Sequence, residues 1–196
     1  MKKEEISKAE KWRLQTLVNR MNSDGDVARQ YYTLANYVID NYAERMETIQ
    51  TPLLYLISHC LELSFKTVIT EAVDVQLLPN TTMREIVHSH SLTEISRHIL
   101  KLYKKLSSIC NEEDKQYFSI DYPQQIEDIC QILQTTTCSY RYAYSLDKQG
   151  ERKEKGVPFV DDNESPNIGT LSILFNNCYH ALCYASHIIS VMYPEQ

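Results

Sequence analysis

Hydrophobic residues recur every three or four positions along most of the chain, which is the spacing that places them on one face of an α-helix. This pattern predicts long helices over about 3–21, 26–48, 52–73, 91–107 and 168–192. It also predicts two shorter helices near 112–118 and 123–135, and a short segment over 83–89. Because only four glycines and six prolines interrupt these patterns, we expect an all-α bundle of about five to seven helices.

Capping residues indicate where two of these helices begin. Thr51 followed by Pro52 is typical of a helix start, because proline suits the first helical position. The stretch Ser91-Leu92-Thr93-Glu94 has the form of a capping box, in which serine and glutamate satisfy free backbone N–H groups. We therefore expect helices to begin at these two points, with His90 at the entrance of the second.

The segment 138–167, before the last helix, has a different pattern. Tyr140, Tyr142 and Tyr144 alternate with other residues, including Arg141, as in a strand, and a turn follows near Gly150. This predicts a small β-hairpin or an ordered loop. Its tyrosines and basic residues could stack bases and meet phosphates, or anchor a protein interface. Alternatively, the segment is an ordered cover over the helical core.

One predicted helix, 52–66, is apolar except for a line of polar residues. Tyr55, His59, Glu62 and Lys66 fall within about 60° of one another on a helical wheel. An ionisable group loses hydration when buried unless a partner compensates for it. This line therefore predicts a cleft, a polar network or a subunit contact, unless it is the solvent edge of the helix.

The last helix has a similar line. Asn177, His180, Tyr184 and His187 lie within about 80° of one another. If the two lines face each other, His180 or His187 could pair with Glu62, and both lines would be satisfied. The alternative is that this second line is the solvent edge of its helix.

Composition narrows the class of protein. The length of 196 residues suits a single domain covering the whole chain. The net charge of -6 argues against general binding to nucleic-acid backbone, but it leaves open a local basic cleft. The N-terminus does not have the form of a secretory signal, and we expect a cytoplasmic protein with no membrane segment. Six cysteines without a C-x-x-C pair are expected to be reduced core thiols.

We expect no metal and no cofactor. Although His180, Cys183 and His187 share a helix, and His88 and His90 lie close together in sequence, the paired spacings typical of metal sites are absent. The sequence also contains no Gly-rich phosphate loop or dinucleotide fingerprint.

Two groups of residues resemble the HEPN helical domains of prokaryotes. The first is the apolar helix with Glu62-Leu63-x-x-Lys66, followed by His90-Ser91-Leu92. The second is Tyr140-Arg141-Tyr142 with Asp147-Lys148-x-Gly150. The resemblance spans about residues 27 to 190 and implies a HEPN-like helical bundle.

Active members of that family are metal-independent endoribonucleases, typically dimers, that use an arginine and a histidine a few residues apart. The nearest match here is Arg84 and His90, with five residues between them. The resemblance thus implies that His90 moves a proton while Arg84 stabilises charge on the phosphate. Alternatively, His90 is a capping and packing residue.

Two functional hypotheses follow. The first is a HEPN-like module, with weak or no catalysis, that binds a partner protein or a nucleotide or RNA ligand in stress response or phage defence. A nucleotidyltransferase, an antitoxin or a defence component would be the partner, and the module would be a homodimer. The second hypothesis is a metal-independent endoribonuclease that uses Arg84 and His90. The predicted binding residues in either case are Tyr55, His59, Glu62, Lys66, Tyr140, Arg141, Tyr142, His180, Tyr184 and His187.

Overall fold

The computed structural model describes residues 24–42, 46–137, 144–146, 152–154 and 167–194. In chain order its helices are α1 (Asp24–Tyr42), α2 (Met46–Asp74), α3 (Thr81–Ile86), α4 (Leu92–Ile109), α5 (Glu112–Gln116), α6 (Tyr122–Thr137) and α7 (Ile168–Met192). The predicted all-α class is confirmed, whereas the helix predicted over 3–21 lies outside the described residues.

Within the segment 138–167, the structure describes two short strands. Strand β1 (Tyr144–Leu146) pairs antiparallel with β2 (Arg152–Glu154), and Ser145 lies opposite Lys153. The other residues of 138–166 are not described, so the larger hairpin or ordered loop stays a prediction.

Helix α2 is the centre of the bundle, because it packs against α1, α3, α4, α6 and α7. Its large apolar side chains are fully buried at Leu53, Ile57, Leu61, Phe65 and Ile69. Helices α4 and α7 add Ile99, Leu102, Phe175 and Leu182 to the same core. Each such side chain stabilises the fold by about 1.5–3 kcal/mol through burial of apolar surface.

The predicted start of the central helix at Pro52 is wrong. Helix α2 begins at Met46, and Pro52 lies inside it. Proline removes a helical hydrogen bond, but Pro52 is exposed, so water can reach the backbone carbonyl that loses its partner. The exposed position lowers the cost of continuing the helix through the proline.

The two short helices predicted near 112–118 and 123–135 are not separated by a loop. A π-helical turn, Tyr117–Asp121, joins α5 directly to α6. This turn buries Phe118, whose ring stacks on Tyr184 of α7 at 5.9 Å between ring centres and packs against Tyr103 of α4. Aromatic packing thus extends the helix through a stretch where Pro123 suggested a new start.

By length and hydropathy, the stretch Pro52–Asp74 would be able to span a bilayer. In the fold, 56% of the apolar window within it is buried against other parts of the chain. Core helices that are buried on most sides reach the same hydropathy, so this value carries little weight as a sign of a membrane segment.

Candidate functional site

A buried carboxylate on the central helix is the starting point of the candidate site. Glu62 is only 4% exposed, although it is ionisable. One helical turn later, Lys66 places its Nζ 3.0 Å from Glu62 Oε1. The spacing of four residues brings the two side chains together on the same face of α2. At Glu62, therefore, the polar line of α2 is buried, and the alternative that it forms the solvent-exposed edge of the helix does not apply there.

The second partner of Glu62 comes from the connection between α3 and α4. His90 Nδ1 lies 2.8 Å from Glu62 Oε1, while the imidazole side chain itself is 64% exposed. The carboxylate is thus buried beneath a histidine that faces solvent. The sequence analysis grouped Glu62 and His90 through the resemblance to HEPN domains, but it did not predict a direct contact between them.

Two serines fix the backbone on either side of His90. Ser91 is the N-cap of α4, and its hydroxyl accepts the Glu94 N–H at 3.3 Å. The Ser89 hydroxyl donates to Glu94 Oε2 at 2.8 Å and accepts the Ser91 N–H at 3.2 Å. In an ordinary capping box, the glutamate side chain accepts the N–H of the N-cap residue directly. Here the Ser89 hydroxyl accepts that N–H instead and links it to Glu94. The sequence showed the cap but not this role of Ser89.

The hydrogen bonds to Glu62 also determine its charge. Burial alone would raise the pKa of Glu62, but the hydrogen bonds and charges of His90 and Lys66 outweigh burial and lower the pKa. The carboxylate is therefore ionised near neutral pH and accepts a hydrogen bond from His90 Nδ1. A neutral His90 then carries its lone pair on Nε2.

Aromatic residues complete this group. His59 Nδ1 lies 3.9 Å from Glu62 Oε2. The ring of Tyr55 stacks on His59 with 5.7 Å between centres, and Tyr31 of α1 meets the same imidazole edge-on at 4.7 Å. We call Glu62, Lys66, His59, His90, Tyr55 and Tyr31 the Glu62 cluster. Tyr31 belonged to the apolar stripe of its helix in the sequence analysis, so its contact with the cluster was not foreseen.

Arg84 stands apart from this cluster. It is exposed in the last turn of α3. Among the described residues, no hydrogen bond or ion pair joins Arg84 to His90, whose Nδ1 is bound to Glu62. The predicted catalytic pair is therefore not a contact pair, although both side chains are accessible from solvent.

The predicted pairing of Glu62 with His180 or His187 is wrong, because His90 takes that position. His180 instead lies 3.2 Å from the hydroxyl of Tyr32 on α1. Tyr31 and Tyr32 are neighbours in sequence and therefore point in directions about 100° apart. Tyr31 contacts the polar line of α2 at His59, and Tyr32 contacts the polar line of α7 at His180.

The remaining residues of the α7 line have separate environments. Asn177, His180 and His187 are exposed, as the solvent-edge alternative expects. The Tyr184 hydroxyl donates to Asp114 of α5, which raises the Tyr184 pKa to about 12. The α7 line therefore does not form the second half of a site with the α2 line.

A different polar contact, which the sequence analysis missed, joins α7 to α1. Asn176 accepts a hydrogen bond from the Tyr32 hydroxyl at 2.5 Å and donates to Asn36 at 3.1 Å. Tyr32 also stacks on Tyr179 at 3.8 Å between ring centres. In the sequence, the two adjacent asparagines Asn176 and Asn177 were the only indication of this contact. The position of α1 shows that Asn176 is the one that bonds to Tyr32 and Asn36.

Three predicted binding residues, Tyr140, Arg141 and Tyr142, lie outside the described residues. Across the described part of the chain, no group of three His, Cys, Asp or Glu side chains is arranged to hold a metal ion. Over the same residues, the cysteines Cys60, Cys110, Cys130, Cys178 and Cys183 are free thiols.

Comparison with known proteins finds no protein family, no curated protein and no solved structure that matches this chain. The functional interpretation therefore depends on the geometry of the Glu62 cluster and on the sequence features that resemble HEPN domains.

Proposed function

We propose that this protein is a HEPN-like helical module that binds a nucleotide or RNA ligand, with His90 contacting a phosphate. The observation that carries the proposal is the 2.8 Å contact between an exposed imidazole and the buried Glu62 carboxylate. The resemblance to HEPN domains favours a cytoplasmic homodimer that acts with a partner protein in stress response or phage defence.

The charges of the cluster suit an anionic ligand. Lys66 already balances Glu62, so protonation of His90 gives the three groups a net positive charge. Glu62 accepts a hydrogen bond from the Nδ1–H group of His90, so the Nε2–H group can donate to a phosphate oxygen. The carboxylate beneath the ring also fixes its orientation, so less freedom is lost when the ligand binds.

Binding of a labelled single-stranded RNA, measured by fluorescence anisotropy at pH 6.5 with EDTA, tests this role. We expect His90→Ala to weaken binding by about tenfold, the effect of losing one charge-assisted hydrogen bond. Glu62→Gln should also weaken binding, because the amide holds the imidazolium less strongly. His88→Ala removes an exposed histidine two residues away and should leave binding unchanged. Equal binding by wild type and His90→Ala would contradict the proposal.

The same contact favours a second candidate function, a metal-independent endoribonuclease. A neutral His90 has its lone pair on Nε2, where it can accept the proton of a ribose 2′-hydroxyl. The 2′ oxygen then bonds to phosphorus, the 5′ oxygen leaves and takes a proton from water, and a 2′,3′-cyclic phosphate forms. Arg84 would stabilise the charge on the phosphate, if the bound RNA reaches both side chains.

Cleavage of an RNA panel in EDTA distinguishes the two functions. The endoribonuclease predicts products ending in 2′,3′-cyclic phosphate, and rates that fall at least about a hundredfold in His90→Ala and Arg84→Ala. His88→Ala should cleave as the wild type does. If wild-type protein binds RNA but leaves it intact, the binding function stands and the endoribonuclease is excluded for those RNAs.

A further inference from the structure

The solvent face of α4 carries several cations in its middle section, and the exposed carboxylate Glu94 lies at its N-terminal end. Between positions 95 and 107, the exposed residues are Arg97, Lys101, Lys104 and Lys105. The first three lie within about 60° of one another around the helix and cover about 10 Å of its length. This concentration of positive charge contrasts with the net charge of -6 for the whole chain.

Three of these cations have no structural use within the described residues. Lys105 donates to the carbonyl oxygen of Leu77 at 2.7 Å, so it holds the turn after α2. By contrast, the charged side-chain groups of Arg97, Lys101 and Lys104 make no hydrogen bond or ion pair with another described residue. Lys66, for comparison, is paired with a carboxylate. The three remaining charges on α4 are thus available for a ligand.

A cleft of about 560 Å³ lies between α3 and α4 beside these cations. Ile86, Ile95 and Leu100 contribute apolar lining, Arg97 and Lys101 contribute positive charge, and Glu85 and Glu94 contribute negative charge. A volume in this range accommodates small ligands, including a nucleotide. The cleft therefore combines apolar surface for a flat ring with charged side chains.

The cleft also contains polar groups that can form directional hydrogen bonds. His98 is nearly buried, and its Nε2 lies 3.2 Å from Glu85 Oε2. Burial and the charge of Lys101 lower the pKa of His98 despite the neighbouring Glu85. Ser89 lines the same cleft and directly precedes His90. Adjacent residues of the chain, Ser89 and His90, therefore belong to the cleft and to the Glu62 cluster.

We infer that the α3–α4 cleft and the basic face of α4 bind single-stranded RNA, with unpaired bases in the cleft and phosphates on Arg97, Lys101 and Lys104. This inference rests on the proposed function for its ligand class, but it involves a different set of residues. Single strands expose bases that can enter an apolar cleft, and their hydrogen-bonding edges can meet Glu85 and His98. The backbone supplies a row of negative charges.

The chemistry of this face favours RNA over a membrane or a protein partner. The exposed residues between 95 and 107 include no apolar side chain that could insert into a lipid interface. They also include no exposed aromatic residue of the kind that anchors protein interfaces.

The test measures binding of a labelled, mixed-sequence 12-nucleotide RNA by wild-type protein and by K101Q/K104Q between 50 and 300 mM NaCl. Glutamine retains helix propensity, so unchanged circular dichroism and urea midpoint will verify the fold. Each phosphate contact contributes about 0.7 to the slope of log affinity against log salt. We expect the double variant to reduce this slope by about 1.4 and the affinity at 0.1 M salt by about 25-fold.

Lys115→Gln on α5 is the matched control, because it removes an exposed lysine that is paired with Glu112. It should leave the affinity and the salt slope unchanged. A double-stranded RNA of the same sequence should bind more weakly than the single strand, because its bases are not free to enter the cleft. Vesicles containing 30% phosphatidylserine provide the membrane comparison.

The outcomes separate this inference from the role proposed for His90. If K101Q/K104Q binds RNA as wild type does while His90→Ala is weakened, the inference on α4 is overturned and the proposed function stands. If only the α4 variant is weakened, the inference stands and the His90 role is overturned. Vesicle binding that depends on these lysines, without RNA binding, would overturn both.

Discussion

A buried carboxylate such as Glu62 keeps its charge only if nearby donors replace the hydration that it loses. The helical spacing of Tyr55, His59, Glu62 and Lys66 predicted such a requirement from the sequence. Lys66 satisfies part of it from the same helix, whereas His90 approaches from 28 residues away. Spacing along one helix could predict the first partner but not the second.

Replacing Glu62 by Gln should destabilise the protein in a pH-dependent manner. At pH 7 we expect a loss of about 3 kcal/mol in the free energy of unfolding, because Lys66 keeps a largely buried charge without its carboxylate. The pKa of Glu62 is lowered by folding, so its contribution is complete above the unfolded value and disappears as the pH falls through the folded value. Urea unfolding at pH 7, 5, 4 and 3 measures this trend.

The expected result is a difference between wild type and Glu62→Gln that shrinks below about pH 4.5. Glu112→Gln is the control, since Glu112 pairs with Lys115 while being 90% exposed. That substitution should change stability little at any of these pH values. A Glu62 difference that persists undiminished at pH 3 would show that the carboxylate charge is not its cause.

At the scale of elements, the structure confirms the helix start predicted at Ser91 but not the one predicted at Thr51 and Pro52. The Ser91 cap does begin α4, and Asn167 caps α7 by accepting the N–H groups of Gly169 and Thr170. Pro52, however, lies within α2 rather than at its start. A cap satisfies free backbone donors wherever the helix packs, whereas the cost of a proline depends on whether its surroundings are exposed.

Ser91→Ala should therefore destabilise the fold by about 1 kcal/mol, the usual cost of losing an N-cap hydrogen bond. Ser108→Ala, near the end of the same helix, removes an exposed hydroxyl that bonds only to the Lys105 carbonyl oxygen among the described residues. It should stay within about 0.5 kcal/mol of wild type. Urea unfolding of both variants measures the difference, and equal stabilities would argue against the Ser91 cap.

At the scale of the whole molecule, burial around α2 and α7 controls thiol chemistry. Burial raises the pKa of Cys60 to about 12 and that of Cys130 to about 11, and it raises the pKa of Cys178 well above its usual value. Cys183 is exposed on α7, although partial burial raises the pKa of its thiol as well. Because the thiolate is the reactive form, the three buried thiols should react only when the core opens.

Iodoacetamide labelling at pH 8, followed by peptide mass spectrometry, tests this expectation. In native protein, Cys183 should be labelled at least about a thousandfold faster than Cys60 and Cys178, because a typical domain opens its core this rarely. In 6 M urea the rates should become similar. Native labelling of Cys178 at the rate of Cys183 would mean that α7 does not pack against α2 as described.

At this scale, the net charge of the chain and the local charge of one surface lead to different expectations about RNA binding. The net charge of -6 argued against a general nucleic-acid grip. The fold nevertheless collects Arg97, Lys101 and Lys104 on one exposed face, where they outnumber the neighbouring carboxylates Glu85 and Glu94. Total charge is a sum over the chain, whereas a ligand interacts with the charges that share one surface.

The sequence by itself determined the helical class, the polar line on α2 and the start of α4 at Ser91. These features depend on periodicity and on contacts within a few residues, which a helical wheel describes. Only the tertiary structure decided that the two polar lines meet different tyrosines of α1, that His90 rather than His180 meets Glu62, and that the α4 cations border a cleft. A helical wheel gives the direction of each side chain, but the packing of the core determines which neighbour lies in that direction.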